Sequence, residues 1–221
     1  MAKRRPREIR EIHDRLFAFF GPQHWWPGET PFEIMVGAVL TQNTAWTNVE
    51  KAIANLKERG LLTFEGMEAL PGDVLADLIR PCGYFNVKAR RLHNLLALIR
   101  DRYQGDLDLF ARDELSDLRQ ALLEVKGIGP ETADSILLYA ANKPIFVVDA
   151  YTHRLLSRHG LAVEEGADYD EMQELFMASL ANEPALFNEY HALIVRTGKE
   201  FCKKTKPRCD ECPLGTMREV R

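Results

Sequence analysis

Two glycines at the end of a helical segment occupy positions that could bind a phosphate. In the stretch KGIGPETA, Gly127 and Gly129 precede a helix that begins at Pro130. Glycine suits positions where the backbone turns with a positive φ or approaches another group closely. The free N–H groups of a helix N-terminus attract a phosphate. An ordinary corner between two helices has the same pattern, so this stretch alone favours a plain turn.

Asp149 is a candidate for a catalytic carboxylate. It follows the apolar stretch PIFVV and opens a predicted helix. As an N-cap, its side chain would accept a backbone N–H bond worth about 1 kcal/mol, which is the commoner role. The other possibility is that the carboxylate also faces a cleft and takes part in chemistry.

Three cysteines near the C-terminus have the spacing of thiolate ligands. Cys202, Cys209 and Cys212 follow the pattern C-x6-C-x2-C, and lysine and arginine residues lie between them. Four such thiols would be strong evidence for an iron-sulfur cluster, whereas three leave a metal-free loop open. Disulfides are not expected in a cytosolic chain.

Nearly all the segments that must position these residues have the apolar spacing of amphipathic helices. The stretch 144–148 has no partner strand elsewhere and is predicted to be an extended lead-in to a helix. The sequence therefore predicts an all-α fold with short connections. The predicted helices span residues 9–20, 31–42, 47–56, 73–79, 86–103, 118–125, 131–141, 149–158, 168–180 and 184–201.

Composition and charge limit the function classes. The chain has 221 residues, 46% of them hydrophobic, and a net charge of −4, so it is not a uniformly basic nucleic-acid binder. No apolar run reaches the ~18 residues that span a bilayer, and the basic N-terminus lacks a signal-peptide core, so a cytoplasmic protein is expected. Basic residues nevertheless cluster in 3–10 and in 196–208. Solvated termini or a nucleic-acid surface would both account for these clusters.

The chain contains five short motifs, LTQNT (40–44), CGYFNVKA (82–89), KGIGPETA (126–133), VDAYTHR (148–154) and HALIVRTGKEFC (191–202). Taken together, these motifs resemble the helix–hairpin–helix DNA glycosylases of the endonuclease III superfamily. The resemblance covers almost the whole chain and implies two helical domains with a DNA cleft between them. One is a six-helix barrel at 28–143 that contains the helix–hairpin–helix at about 122–141. The other combines 1–27 with 144–221 and brings both basic ends together.

The resemblance implies that Asp149 is essential for breaking the N-glycosidic bond. Loss of a base leaves an oxocarbenium-like sugar, which a nearby carboxylate can stabilise, or the carboxylate can activate the attacking water. Relatives that also cleave the strand carry a nucleophilic lysine two residues after the second hairpin glycine. Here that residue is Glu131. A monofunctional enzyme is therefore expected, with Glu131 capping its helix or shaping the base pocket.

Three tryptophans lie in the first quarter of the chain, as HWWPG and TQNTAW. Together with the glutamate at 131, they resemble the 3-methyladenine DNA glycosylase branch, in which aromatic residues sandwich an alkylated purine. That resemblance assigns the base pocket to Trp25, Trp26, Pro27 and Trp46. A cationic base gains up to about 2 kcal/mol from desolvated aromatic faces. Packing in the core would account for at least one of these rings instead.

The resemblance also assigns DNA contacts to residues of the motifs. Gln42 would fill the gap left by the extruded nucleotide, and Tyr84 would wedge against the opposite strand. Gln42 could instead cap a helix, and Tyr84 could be half-buried. The expected DNA-binding set is Gln42, Tyr84, Lys126, Gly127, Gly129 and Thr132.

The iron-sulfur site of the superfamily has the spacing C-x6-C-x2-C-x5-C, and this chain departs from it. The fourth position is Arg218, and Cys82 lies where the family has no ligand. Cys202, Cys209 and Cys212 could therefore hold a labile or three-iron cluster, or a [4Fe–4S] cluster whose fourth ligand is not a cysteine. The loop could also be a relic of the site that binds no metal. Some members of the 3-methyladenine branch lack the cluster.

The expected function is thus excision of an alkylated base from double-stranded DNA by a monomeric, membrane-free enzyme. One alternative is a glycosylase for mismatched or oxidised bases, whose aspartate and hairpin would look the same. The other is a helix–hairpin–helix protein that binds DNA without chemistry, which would need neither Asp149 nor a tryptophan-lined pocket.

Overall fold

The computed structural model of the chain describes residues 5–161 and 168–217. Within these ranges no β-strand occurs and helices follow one another through short connections, which confirms the all-α prediction. The α-helices are α1 (Arg5–Phe20), α2 (Pro31–Leu40), α3 (Trp46–Glu58), α4 (Phe64–Glu68), α5 (Gly72–Leu78), α6 (Phe85–Tyr103), α7 (Leu107–Arg112), α8 (Leu115–Glu124), α9 (Pro130–Ser135), α10 (Ala150–Arg158), α11 (Tyr169–Met177) and α12 (Pro184–Glu200).

The sequence prediction missed two short helices, α4 and α7. Both have side-chain N-caps: Thr63 Oγ1 accepts from the N–H of Gly66 at 3.0 Å, and Asp106 Oδ1 accepts from that of Leu109 at 3.1 Å. These helices are too short to show an apolar period, so capping residues were their only local signal. The predicted helix at 131–141 is not uniform, because α9 continues as a π-helical turn over Ile136–Ala140. Residues 145–148 form no helix and no paired strand, as predicted for the lead-in at 144–148, and the helix after it begins at Ala150 with Asp149 as its N-cap.

The chain divides into two compact units, Pro27–Lys143 and Met1–Trp26 with Pro144–Arg221. The six-helix barrel and the DNA cleft between domains stay predictions. No helix in the described part of the chain is long and apolar enough to cross a membrane.

Helices α2 to α9 form the unit Pro27–Lys143, with α2 buried along nearly its whole length. Thr30 caps α2 by accepting from the N–H of Glu33 at 3.1 Å, and Pro31 occupies the first turn, where its missing N–H costs nothing. The long helix α6 buries one apolar face, which includes Leu92, Leu95 and Ile99. Burial of these side chains packs α2 and α6 against each other within the unit.

In the other unit, helices α1 and α12 pack together around Tyr190. Its ring is fully buried, and its hydroxyl donates to the carbonyl oxygen of Ile9 at 2.7 Å. The extended stretch before α10 is anchored by Phe146, which stacks on Phe176 at 3.9 Å. A Cβ at Gly198 would lie 2.1 Å from the ring of Tyr151, so α10 and α12 require glycine there. This close packing fixes the start of α10 against α12.

Candidate functional site

Asp149 is the N-cap of α10. Its Oδ1 accepts from the backbone N–H of Thr152 at 2.8 Å and from the Thr152 hydroxyl at 3.0 Å. Its other oxygen, Oδ2, lies 3.6 Å from Nε2 of His191 on α12. The carboxylate is therefore held by two helices of one unit, with Oδ1 used for the cap and Oδ2 facing an imidazole.

The surroundings of Asp149 favour its charged form. The side chain is 13% exposed. Burial by itself raises the pKa of this carboxyl, but the attraction of His191 and the hydrogen bonds from Thr152 outweigh burial and hold the pKa below its ordinary value. A carboxylate that is nearly buried and still ionised at neutral pH can stabilise a nearby cation or accept a proton from water.

The hairpin between α8 and α9 uses its two glycines differently. Gly127 has φ +99°, and a Cβ there would lie 2.5 Å from Cγ of Arg91, so both conformation and space require glycine. Gly129 has an extended backbone and open space around it, so neither its φ nor the packing of the chain requires glycine there, and the close approach of another group to this residue stays a prediction. The open side of Gly129 leaves room for a ligand to approach the backbone.

Two interactions hold the hairpin in place. Arg119 on α8 makes a two-pronged contact with Asp134 on α9, with Nε–Oδ1 at 2.8 Å and a guanidinium nitrogen 3.2 Å from Oδ2. The Asp134 side chain is fully buried. On the other side, the amide of Asn94 donates to the carbonyl oxygen of Lys126 at 2.8 Å. The side chains of Lys126 and Glu131 are both exposed on this anchored turn.

The side chain of Gln42 is attached to the hairpin and to the first turn of α9. Its Nε2 donates to the carbonyl oxygen of Gly127 at 3.1 Å and to the hydroxyl of Thr132 at 2.9 Å. Its Oε1 accepts from the guanidinium of Arg91 at 2.5 Å. The predicted DNA-binding residues Gln42, Gly127 and Thr132 are therefore one hydrogen-bonded group within Pro27–Lys143.

Tyr84 projects into solvent with 77% of its surface exposed, so the alternative that it is half-buried is wrong. It is the N-cap residue of α6 and has φ +46°, directly after Gly83 at φ +63°. Two consecutive left-handed residues are strained for a tyrosine, so the surrounding structure must hold this turn.

The three tryptophans are divided between the two units. Trp25 and Trp26 meet edge to face, with ring centroids 5.3 Å apart, and Nζ of Lys199 lies 5.7 Å from the Trp25 ring. The buried Nε1 of Trp25 has no hydrogen-bond partner in the described part of the chain. Trp46 belongs to Pro27–Lys143, where its Nε1 donates to Glu50 at 2.9 Å.

Around Trp46 the chain forms a pocket of about 220 Å³, which includes Pro27 in its lining. Lys57 and Glu33 line the same pocket and form an ion pair at 3.0 Å. The pocket therefore has an aromatic wall and a polar wall. The edge-to-face tryptophan pair belongs to one unit and the Trp46 pocket to the other, and their joint role as a base pocket stays a prediction.

Comparison with known proteins decides the family. Residues 36–182 match the family described as HhH-GPD superfamily base excision DNA repair protein. The chain belongs to this family. It is 47% identical over 208 residues to a Methanocaldococcus jannaschii protein whose name places it among DNA repair glycosylases, and the match covers 93% of both chains.

Two solved structures extend the comparison of this HhH-GPD protein. The H. pylori 3-methyladenine DNA glycosylase MagIII, bound to 1,N6-ethenoadenine, is 31% identical with a TM-score of 0.74, and the match covers 89% of this chain and 97% of that one. A trapped endonuclease III–DNA covalent intermediate is 26% identical with a TM-score of 0.83, and the match covers 97% of this chain and 95% of that one. The predicted resemblance to the endonuclease III superfamily is confirmed.

The cysteine loop of this HhH-GPD protein does not fit a cluster held by four thiolates. Cys202, Cys209 and Cys212 line one cavity, and a guanidinium nitrogen of Arg158 lies 3.1 Å from Sγ of Cys202. No three histidine, cysteine or acidic side chains of the described residues are grouped as metal ligands. Arg218, at the fourth family position, lies outside the described residues. The iron-sulfur cluster stays a prediction, and no step proposed below involves one.

Sequence reasoning missed three residues that complete the candidate site: His191 beside Asp149, Arg91 beside Gln42, and Lys88 on α6. His191 and Lys88 both lie inside motifs that marked the family. Asp149 is forty-two residues from His191, and Leu40 and Thr44 are more than forty residues from Lys88, so the motif spacing carried no signal of these contacts.

Proposed function

We propose that this HhH-GPD DNA glycosylase is monofunctional and removes alkylated bases of the 3-methyladenine type from double-stranded DNA. The observation that carries the proposal is the environment of Asp149, a nearly buried carboxylate kept ionised beside His191. Departure of the base leaves positive charge on the sugar. A fixed negative charge stabilises that charge as it develops, and the same oxygen can take a proton from the attacking water.

The proposed lack of strand cleavage depends on Glu131. It occupies the first turn of α9, two residues after Gly129, where strand-cleaving relatives carry a lysine. A carboxylate cannot attack C1′ and then form the Schiff base that a lysine amine forms. Lys126 is the hairpin's exposed amine, and its main chain is held by Asn94 on the other side of the turn. We therefore expect Lys126 to contact phosphate and not the sugar carbon.

The proposed preference for alkylated bases is supported by the aromatic side chains and by the likeness to MagIII. Trp25, Trp26 and Trp46 present partly exposed rings. A cationic methylated purine gains more from an aromatic face than a neutral base does. Such a base also leaves readily, so the absence of an obvious general acid among the described residues is compatible with this chemistry.

DNA is the proposed partner, gripped through its backbone at the hairpin. The open backbone at Gly129 and the first turn of α9 offer N–H groups to a phosphate, and Lys126 adds a positive charge. Each phosphate contact releases counterions, so binding should weaken steeply as salt rises. An affinity that does not change with salt would contradict this backbone grip.

The test is base release from a panel of matched duplexes measured under single-turnover conditions. One duplex is methylated at adenine N3 and guanine N7, one contains uracil or thymine opposite guanine, and one carries an oxidised base. The proposal expects release of the methylated purine to exceed release of the others by about tenfold or more, which is about 1.4 kcal/mol in transition-state binding. Faster release from a uracil or thymine mismatch would assign the enzyme to mismatch repair instead.

Borohydride reduction tests the absence of lyase chemistry in the same reactions. We expect base release without a covalent protein–DNA adduct, and an abasic product that breaks only after hot alkali. A trapped adduct that persists in the Lys126→Ala variant would show that another amine attacks the sugar. An adduct that disappears in that variant would make Lys126 the nucleophile, and either result would overturn the monofunctional assignment.

A further inference from the structure

Lys88 is a lysine whose side chain is almost completely buried, with 1% of its surface exposed. Its Nζ donates to the carbonyl oxygen of Leu40 at 2.8 Å, to that of Cys82 at 2.9 Å and to the hydroxyl of Thr44 at 2.5 Å. An ammonium group has three N–H donors, so every donor of Lys88 has a partner. The Thr44 hydroxyl also donates to the Cys82 carbonyl at 2.7 Å, which closes the group. We call these four residues the loop anchor.

The loop anchor joins the ends of two helical segments. Leu40 is the last residue of α2, and Thr44 follows Gln42 in the next loop. Cys82 ends the 3-10 turn Arg80–Cys82, and Gly83 and Tyr84 follow it. Carbonyl groups at helix C-termini lack helical partners and carry partial negative charge. One cation therefore satisfies the ends of both segments that lead to Gln42 and Tyr84.

Stability alone does not account for a lysine at this position. Burial lowers the pKa of Lys88, as does the neighbouring Arg91, because removing a cation from water is unfavourable. Methionine has a similar length and would fill the space without that cost, although it would remove one donor from the carbonyl of Leu40 and one from that of Cys82, which would keep the Thr44 hydroxyl. What lysine adds is a fixed distance between two chain segments that are more than forty residues apart.

We propose that Lys88 is a positioning residue for base flipping. It holds the loop of Gln42 and the loop of Tyr84 at one separation, so that both side chains enter the DNA together at the extruded nucleotide. The inference rests on the proposed glycosylase function and on the predicted insertion of Gln42 and Tyr84. It adds that the separation of these two loops is set by a buried cation that does not itself contact DNA.

A binding experiment tests this without knowledge of the damaged base. The probe is a duplex with a tetrahydrofuran abasic site opposite 2-aminopurine, whose fluorescence changes when the base is displaced by inserted side chains. Lys88→Met should bind within about threefold of the wild-type affinity, because the phosphate contacts are kept, but give less than about half of the fluorescence change. The control is Ile99→Ala, which truncates a fully buried side chain further along α6.

The control separates positioning from general loss of stability. Both variants should lower the melting temperature, but Ile99→Ala should keep the full fluorescence change. An equal loss in both variants, or a full change with Lys88→Met, would overturn the proposal. If Lys88→Met does not fold, Thr44→Val removes one partner and leaves Nζ bonded to both carbonyls. It should then show a smaller loss in the same direction, and a wild-type fluorescence change would overturn the proposal.

Excision kinetics provide a second readout. Lys88→Met should slow single-turnover release from a fully paired duplex by about tenfold or more, since a small misplacement of inserting groups is enough for such a loss. The deficit should shrink to about threefold or less when the same base lies in a mispair, which is already easy to flip. Equal deficits on both substrates would contradict the role. If the wild type releases no base at all, the proposed function fails, and the fluorescence comparison still decides the role of Lys88.

Discussion

Replacement of Asp149 by asparagine separates its structural role from its proposed chemical one. Asparagine caps helices about as well as aspartate, so the variant can keep the bond from the N–H of Thr152 to Oδ1. We expect its folding free energy to change by no more than about 1 kcal/mol. Alanine loses the cap and leaves the buried Thr152 groups without an acceptor, at a further cost of about 1–3 kcal/mol.

The chemical loss should be much larger than the structural one. Removal of a single preorganised electrostatic group from an active site typically costs about 3–4 kcal/mol in the barrier, or a rate factor of about 10²–10³. The single-turnover rate of base excision by Asp149→Asn should therefore be at least about 100-fold lower than that of the wild type. Its DNA affinity, measured by fluorescence anisotropy, should not change. Asp149→Ala should excise no better than Asp149→Asn, despite its lower melting temperature.

A matched control exists in the other unit. Asp106 caps α7 by accepting from the N–H groups of Asp108 and Leu109, so Asp106→Asn makes the same chemical change at a cap with no proposed role. It should keep wild-type excision. If Asp149→Asn keeps its rate within about tenfold of wild type, the carboxylate is only a cap and the proposed mechanism is refuted.

The lowered pKa of Asp149 gives the direction of its pH dependence. Its charge stabilises the folded chain above the unfolded value of about 3.9, and that contribution is lost as the pH falls through the lower folded value. Between about pH 5 and 8 the carboxylate is ionised, so Asp149 should add no titration to the excision rate in that range. A rate that follows one ionisation in this range in the wild type, and is flat in Asp149→Asn, would contradict this.

Three further predictions concern the hairpin and the buried thiol. At Gly127 the backbone has a φ of +99°, and an added Cβ would collide with Arg91. We therefore expect Gly127→Ala to lower the free energy of unfolding in urea by about 1–3 kcal/mol and to weaken DNA binding. Unchanged binding would exclude the hairpin as a DNA contact. Arg119→Met removes the guanidinium that pairs with the buried Asp134 carboxylate, so the free energy of unfolding in urea should fall by about 3 kcal/mol. A fall of less than about 1 kcal/mol would show that the pair does not hold the hairpin. Burial raises the pKa of Cys82 to about 11, so iodoacetamide at neutral pH should label it only after unfolding; labelling in the folded protein as fast as in urea would refute its burial.

The sequence was sufficient for the features that depend on neighbours along the chain. The helical periods, the proline at the start of α2 and the Gly-Ile-Gly turn are local signals, and they predicted the all-α class and the place of the hairpin. Asp149 as an N-cap was equally local, because the cap bonds to a residue three positions on. The short helices α4 and α7 were missed because so few residues show no period.

Tertiary structure alone decided what surrounds each candidate residue. Asp149 is paired with His191 forty-two residues later, and Gln42 is bound to Arg91 and to the hairpin. In the sequence Lys88 is one polar residue of a predicted helix, and only the folded chain places the carbonyl oxygens of Leu40 and Cys82 beside its ammonium group. These contacts arise because burying apolar helix faces also brings distant polar groups together. The electrostatics that keep a carboxylate charged, or make a buried lysine acceptable, therefore exist only in the folded chain.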